Sequence, residues 1–254
     1  MTTHVIGDTA VLTSRSLRHI LRSPDTIITT AVTPIALMLL FTYVFGGAID
    51  LGSQASYIDY MLPGILLITI ASGVAYTAYR LFLDMQGGIF ERFQSMPIAR
   101  SSVLWAHVLT SLVANVISIA IVIGVGLIMG FRTGASLWVW LAVAGILILF
   151  TLALTWIAVI AGLSAKTVDG ASAFSYPLIF LPFISSAFVP TDSMPAPVAW
   201  FAENQPVTSI VDTLRALFAG EPVGTDIWVA LAWLVAILIV AYAGAVAIYK
   251  RKMR

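Results

Sequence analysis

Few residues in this sequence are of types that do chemistry, and those few fall in loops or near helix ends. The nearest approach to a phosphate-cradling loop is Gly162-Leu-Ser-Ala-Lys166-Thr167. A loop of the type G-x-x-x-x-G-K-[ST] uses glycines so that backbone N–H groups can close around phosphate oxygens. Here Ala165 stands before the lysine and no strand precedes the stretch, so the chain is not expected to hydrolyse ATP. His4, His19 and His107 are scattered without metal-ligand spacing, and there are no cysteines. No metal site, disulfide or thiolate cluster is predicted. No Ser/His/Asp set or paired carboxylates suggest catalysis, and the chain reads as a non-enzyme. Ion-coupled transporters place ionisable groups near the bilayer midplane. Here Arg80, Asp84 and His107 fall at the inner ends of apolar runs and Asp59 at an outer end. Asn115 is the deepest strongly polar residue, and its expected role is an interhelical hydrogen bond.

The elements that position these residues follow from composition. Of 254 residues, 60% are hydrophobic and only 10% charged, and the mean hydropathy is +1.00. A soluble domain carries about 25% charged residues, and its outer shell must face water. Lipid removes that requirement. Six runs reach the ~20 residues needed to cross a bilayer, at about 26–46, 58–82, 103–130, 136–163, 170–190 and 227–249. They are continuous rather than alternating, which favours helices over a barrel. The fold class is therefore an all-α integral membrane protein with six transmembrane helices. The first run reads as a retained helix rather than a cleaved signal. Pro34, Pro63, Pro177 and Pro182 lie inside runs, where kinks rather than breaks are expected. Gly126 and Gly130 form a small-xxx-small pattern suited to close helix approach.

With both termini in the cytoplasm, 11 of the 13 Lys and Arg lie inside, and only Arg132 and Arg215 lie outside. That asymmetry satisfies the positive-inside rule; the plasma membrane of a bacterial cell is the location that the family resemblance given below implies. Trp138, Trp140, Trp228, Tyr57, Tyr60 and Tyr249 fall near the expected interfaces.

Three segments are not simple spans. Within 8–22, Arg15, Arg18, His19 and Arg22 form one helical face, with Val11, Leu17, Ile20 and Leu21 supplying apolar positions. This predicts an amphipathic helix on the inner membrane surface in contact with lipid, so that residues 1–25 form an N-terminal unit and 26–254 the membrane domain. The loop Gly87-Gly-Ile-Phe-Glu-Arg-Phe-Gln-Ser-Met-Pro97 carries a short helix with Ile89, Phe90, Phe93 and Met96 apolar and Glu91 and Arg92 charged. Those apolar side chains suit either a partner surface or the lipid interface. In 191–226, Val207, Ile210, Val211, Leu214, Leu217 and Phe218 recur at helical spacing, with Asp212 and Arg215 opposite. This predicts a short helix after Pro206 folded against the outer mouth of the bundle.

The layout resembles the ABC-2 type permeases, particularly the daunorubicin-resistance (DrrB-like) branch, over nearly the whole chain. The resemblance is carried by the basic pre-span helix, by GGIFERFQSMPIAR at 87–100, by FVPTDSMP at 188–195 and by NQPVTSIVDTLR at 204–215. Many members have Asn-Pro where this chain has Asn204-Gln205-Pro206. The resemblance implies an exporter of a hydrophobic or amphipathic drug, antibiotic or lipid-like molecule. Its rivals are a permease for lipid-linked polysaccharide or another glycoconjugate, an ion-coupled secondary transporter and an accessory subunit. The resemblance further implies two copies of a separate ATPase subunit, which bind ATP and Mg so that this chain itself needs no cofactor. A second permease subunit would complete a homodimer or heterodimer; no nucleic-acid partner is expected. It makes Ile89, Phe90, Glu91, Arg92, Phe93 and Met96 an ATPase-coupling helix, and places the helix of Pro206, Asp212 and Arg215 in an extracellular re-entrant hairpin.

Overall fold

The computed structural model describes residues 24–46, 56–87 and 100–252, together with Gly7, Thr9, residues 11–14 and Ser16. The described regular structure is helical throughout. Helix α1 (Pro24–Leu39) runs on through π-helical turns at Leu40–Phe45. It is followed by α2 (Tyr57–Gln86), α3 (Arg100–Ile128) and α4 (Leu137–Ser164). Short helices α5 (Val168–Ala173) and α6 (Ser175–Phe180) and a 3-10 turn (Leu181–Ile184) come next. Helices α7 (Ala196–Asn204), α8 (Pro206–Ala219) and α9 (Asp226–Lys252) complete the chain. Among the described residues before α1, Gly7, Thr9, residues 11–14 and Ser16 are helical.

Among the described residues, four helices are long and apolar enough to cross a bilayer: Tyr57–Gln86, Ser102–Ile128, Leu137–Ser164 and Asp226–Lys252. The apolar helices at Thr30–Phe45 and Val168–Ile184 are shorter. The expectation of kinks rather than breaks holds at Pro34 and Pro63, which lie inside continuous helices. It fails in the fifth run, which is divided at Phe174 and again at Leu181. Proline has no N–H to donate and its ring crowds the carbonyl four residues back. Pro177 and Pro182 come only five residues apart, too close for regular turns between them.

Helix α2 is the axis of the fold. It packs against α1, α3, α4, α5, α6 and α8, and 18 of its 30 residues are buried. In contrast, α9 buries a single stripe of Ala230, Leu234, Ala241, Ala245 and Tyr249 and exposes Trp228, Trp233, Ile239 and Val240. Such a face suits lipid, where close packing rather than hydrophobic exclusion holds helices together.

Glycines permit that close packing, at positions other than those expected. A Cβ on Gly162 would lie 2.8 Å from the Ala78 carbonyl oxygen, and one on Gly64 would lie 2.6 Å from the Ala187 Cβ. Gly126 meets Leu62 only at ordinary contact distance. Gly130, at φ +109°, instead ends α3, with the Phe131 N–H donating to the Gly126 carbonyl at 2.9 Å. This is a helix-terminating motif that needs a left-handed residue. Trp138 and Trp228 are exposed at the starts of α4 and α9, as interface anchors should be, whereas Tyr57 and Tyr249 are buried.

Candidate functional sites at the two ends of helix α2

The outer end of α2 meets α8. Pro206 opens α8, where a missing N–H costs nothing, and Gly220 closes it in the left-handed conformation at φ 74°. The six apolar residues predicted to share a face, Val207 through Phe218, are all buried. Gln205, 5% exposed, donates its side-chain amide to the Leu181 carbonyl at 3.3 Å and to the Ile184 carbonyl. It thereby satisfies carbonyls left open by the 3-10 turn. The Thr208 hydroxyl donates to the Ala202 carbonyl at 2.5 Å, tying α8 to α7.

Asp212 and Arg215 come together one turn apart on α8. Arg215 Nη1 donates to Asp212 Oδ1 at 2.7 Å, Nη2 to the Ser186 carbonyl at 2.7 Å and Nε to the Tyr60 carbonyl at 3.2 Å. Its guanidinium carbon lies 3.7 Å from the centroid of the Tyr60 ring, within cation–π range. The Ser186 hydroxyl donates to Asp212 Oδ1 at 2.7 Å. Burial raises the Asp212 carboxyl above its ordinary range, against the opposing pull of the Ser186 hydrogen bond and the Arg215 charge. One side chain thus joins α8, α2 and the turn after the 3-10 segment. That turn is held further by Tyr57, whose hydroxyl donates to the Phe188 carbonyl at 3.1 Å. Phe188 stacks at 4.9 Å on both Phe41 and Phe183. On the page of sequence, Ser186 and the backbone oxygen of Tyr60 carried no sign of this role, since Arg215 reads only as an exposed cation.

Toward the other end of α2, a cleft with several polar residues in its lining opens between α1, α2 and α3. Thr30, Tyr76, Arg80, His107, Thr110 and Asn115 are among its lining residues. His107 Nε2 lies 3.1 Å from Asp84 Oδ2. Asn115, 1% exposed, makes no interhelical hydrogen bond of the kind expected among the described residues. Its amide donates within α3, to the Ser111 carbonyl at 2.9 Å and to the Ser111 hydroxyl at 3.4 Å. The interhelical link is made instead by Ser111, whose hydroxyl lies 3.2 Å from that of Thr155 on α4.

The other predicted site residues, Ile89, Phe90, Glu91, Arg92, Phe93 and Met96 in the loop and Arg15, Arg18 and Arg22 before α1, lie outside the described residues. No cluster of metal-ligating side chains occurs among the described residues. The two assemblies suit holding and moving helices rather than bond making.

The profile of a family described as "ABC-2 type transporter" matches residues 8–219. The chain is 28% identical to the daunorubicin resistance ABC transporter permease protein DrrB1 of Streptomyces coeruleorubidus, over 94% of this chain and 84% of that protein. It is 25% identical to the probable doxorubicin resistance ABC transporter permease protein DrrC of Mycobacterium tuberculosis, over 92% of this chain and 85% of that protein.

Proposed function

The chain belongs to the ABC-2 type transporter family, and from that premise we propose that it is the membrane-spanning, non-catalytic subunit of an ATP-driven exporter of amphipathic drugs such as daunorubicin or doxorubicin. The relatives over nine-tenths of the chain are drug-resistance permeases, and that likeness supports the cargo class. ATP is hydrolysed by a separate ATPase, two copies to a transporter, beneath a pair of permease subunits. In this reading α1 and the broken α5–α6 segment count as spans, which makes six and leaves both termini in the cytoplasm. Residues 1–25 lie along the inner surface with Arg15, Arg18 and Arg22 toward lipid headgroups, and 26–254 form the bundle. The α7–α8 hairpin is re-entrant from the outside.

The observation that carries the mechanism is the Arg215 hub, because one guanidinium joins α8 to the axial helix and to the turn that follows the broken fifth run. ATP binding closes the ATPases against the loop helix Ile89–Met96, with Phe90 and Phe93 as apolar anchors and Glu91 and Arg92 as polar contacts. The push travels along α2, which is packed against most of the bundle, and unlatches the outer mouth. Closed and open states must differ in their contacts for ATP to bias them, and the hub supplies such contacts.

Co-reconstitution with the ATPase tests the reading. ATP-dependent accumulation of daunorubicin in inside-out vesicles is expected, and it should survive collapse of the ion gradients. Accumulation that needs the gradients and not ATP would overturn the reading in favour of a secondary transporter. Phe90→Ala with Phe93→Ala should strip most of the copurifying ATPase while membrane insertion stays intact.

A further inference from the structure

The cleft toward the His107 end of α2 contains polar groups that export as described leaves without a task. Arg80 Nη1, Thr110 Oγ1 and Asn115 Oδ1 are buried atoms with no hydrogen-bond partner among the described residues. Asn115 is 1% exposed and Thr110 7%. Buried polar atoms are almost always paired, so these three call for a partner. Arg80 has no carboxylate partner among the described residues either, since Asp84, one turn along α2, is engaged by His107 at 3.1 Å. Ser16 also lines the cleft, and in sequence it stands between Arg15 and Arg18.

The spacing narrows the ligand. Asn115 Oδ1 packs on Gly73, where an added Cβ would lie 2.2 Å from it. Gly73 and Arg80 are two turns apart on α2, about 10 Å. A single ion or water reaches one of the two groups. Arg80 requires an acceptor, most favourably an anion. Asn115 Oδ1 requires a donor, and the Thr110 hydroxyl accommodates either. The guanidinium lies 5.9 Å from the centroid of the Tyr76 ring but has no carboxylate beside it among the described residues, so a cationic amine is disfavoured there.

We infer that this cleft binds the head of an anionic, hydroxyl-bearing amphiphile from the adjoining leaflet, with a phosphate on Arg80, a hydroxyl on Asn115 and the hydrocarbon left in the lipid. The site is independent of which drug is exported, and its test needs neither ATP nor the ATPase. The full-length protein, stripped of lipid in mild detergent, is titrated with phosphatidylglycerol and followed by native mass spectrometry. Phosphatidylcholine supplies a phosphate without a donor, and glycerol 1-phosphate supplies the head without chains. Phosphatidylglycerol should bind about tenfold more tightly than phosphatidylcholine, and Arg80→Gln and Asn115→Ala should each weaken it by about the same factor. Arg80→Lys should retain most of the binding, because phosphate accepts a point charge. Gly73→Ala, which pushes a methyl group against Asn115, should occlude the site by a separate route. Daunorubicin should not displace the lipid.

Equal binding by wild type, Arg80→Gln and Asn115→Ala, the result if ordered water alone partners these groups, would overturn the site. Binding of glycerol 1-phosphate as strong as that of the lipid would overturn the membrane source. Displacement by daunorubicin would overturn the separation of this site from the cargo. Loss of ATP-dependent export with lipid binding intact would strike only the transport reading.

Discussion

The two ends of α2 use polar side chains in opposite ways. At the outer end every donor set on Arg215 is engaged: Nη1, Nη2 and Nε each meet an oxygen and the face of the guanidinium covers Tyr60. In the cleft near Arg80, three buried polar atoms lack partners among the described residues. A satisfied network rigidifies its surroundings, whereas a partly satisfied one is stable only if something else completes it. The Arg215 network at the outer end is a latch whose own donors are all met, and the cleft end is a receptor. Apolar content does not distinguish the two regions, since both lie in apolar surroundings. Hydrogen-bond completeness around Arg215 does, although it does not extend to the neighbouring Gln205, whose Oε1 is also buried without a partner among the described residues.

The largest effect is expected from breaking the latch. Arg215→Leu leaves Asp212 buried beside Ser186 without its cation and frees two backbone carbonyls, at a cost of about 3 kcal/mol. Thermal unfolding in detergent should fall accordingly, and daunorubicin export should leak or stop. Arg215→Lys should rescue little, because an ammonium cannot fork between three acceptors in fixed directions. Full stability in Arg215→Leu would show that the latch is incidental and would erase the contrast between the two ends.

The next effect sharpens the receptor side. Gly73→Ala sets a methyl carbon 2.2 Å from Asn115 Oδ1, and the forced shift should cost about 2 kcal/mol. Asn115→Ala alone removes a side chain whose acceptor already lacks a partner, so its cost should be smaller. In the double variant the new methyl occupies room vacated by the amide. The cycle should therefore show coupling of about 1 kcal/mol in the relieving direction, measured by thermal unfolding of all four proteins. Additive losses would mean that Gly73 and Asn115 do not share the contact on which the receptor argument stands. On the latch side, Gln205→Ala uncaps the Leu181 and Ile184 carbonyls and should cost about 1 kcal/mol.

Much of this was legible in the sequence, for identifiable reasons. The long apolar runs marked α2, α3, α4 and α9 because crossing lipid demands length and continuity, and the structure keeps their limits within a few residues. The apolar face of α8 was visible because Val207, Ile210, Val211 and Leu214 repeat at helical spacing. The break of the fifth run was hidden because hydropathy does not register a missing N–H, and two prolines five residues apart act together. Asn115 was visible as deep and polar, but its partner was not: the choice between an intrahelical carbonyl and a neighbouring helix depends on the rotation of α3. Ser186 was illegible for a similar reason, since only the fold places it 26 positions away yet within 2.7 Å of Asp212. The family resemblance came from the loop and hairpin motifs, which lie between the spans and escape their apolar monotony.

The smallest effect concerns Asp212 itself and separates charge from geometry within the latch. Burial raises its carboxyl above the ordinary range, and the Ser186 hydroxyl and the Arg215 cation oppose that shift without cancelling it. The native state therefore holds this proton at pH values where the unfolded chain, with a carboxyl near 3.9, has released it. Protonation then contributes stability that is present below that unfolded value and is lost as pH rises through the raised native value. The free energy of unfolding should thus fall slightly as pH rises through that window, and the unfolding temperature should fall with it. The drop should be less than about 1 kcal/mol, because the side chain is a third exposed and solvent screens it. Asp212→Asn keeps an oxygen acceptor for Arg215 and Ser186 and has no proton to release, so it should flatten the slope without opening the latch. A slope that persists in Asp212→Asn would move the titration to another group. An opened latch would mean that Arg215 is held in place by the carboxylate charge rather than by the carbonyls of Ser186 and Tyr60.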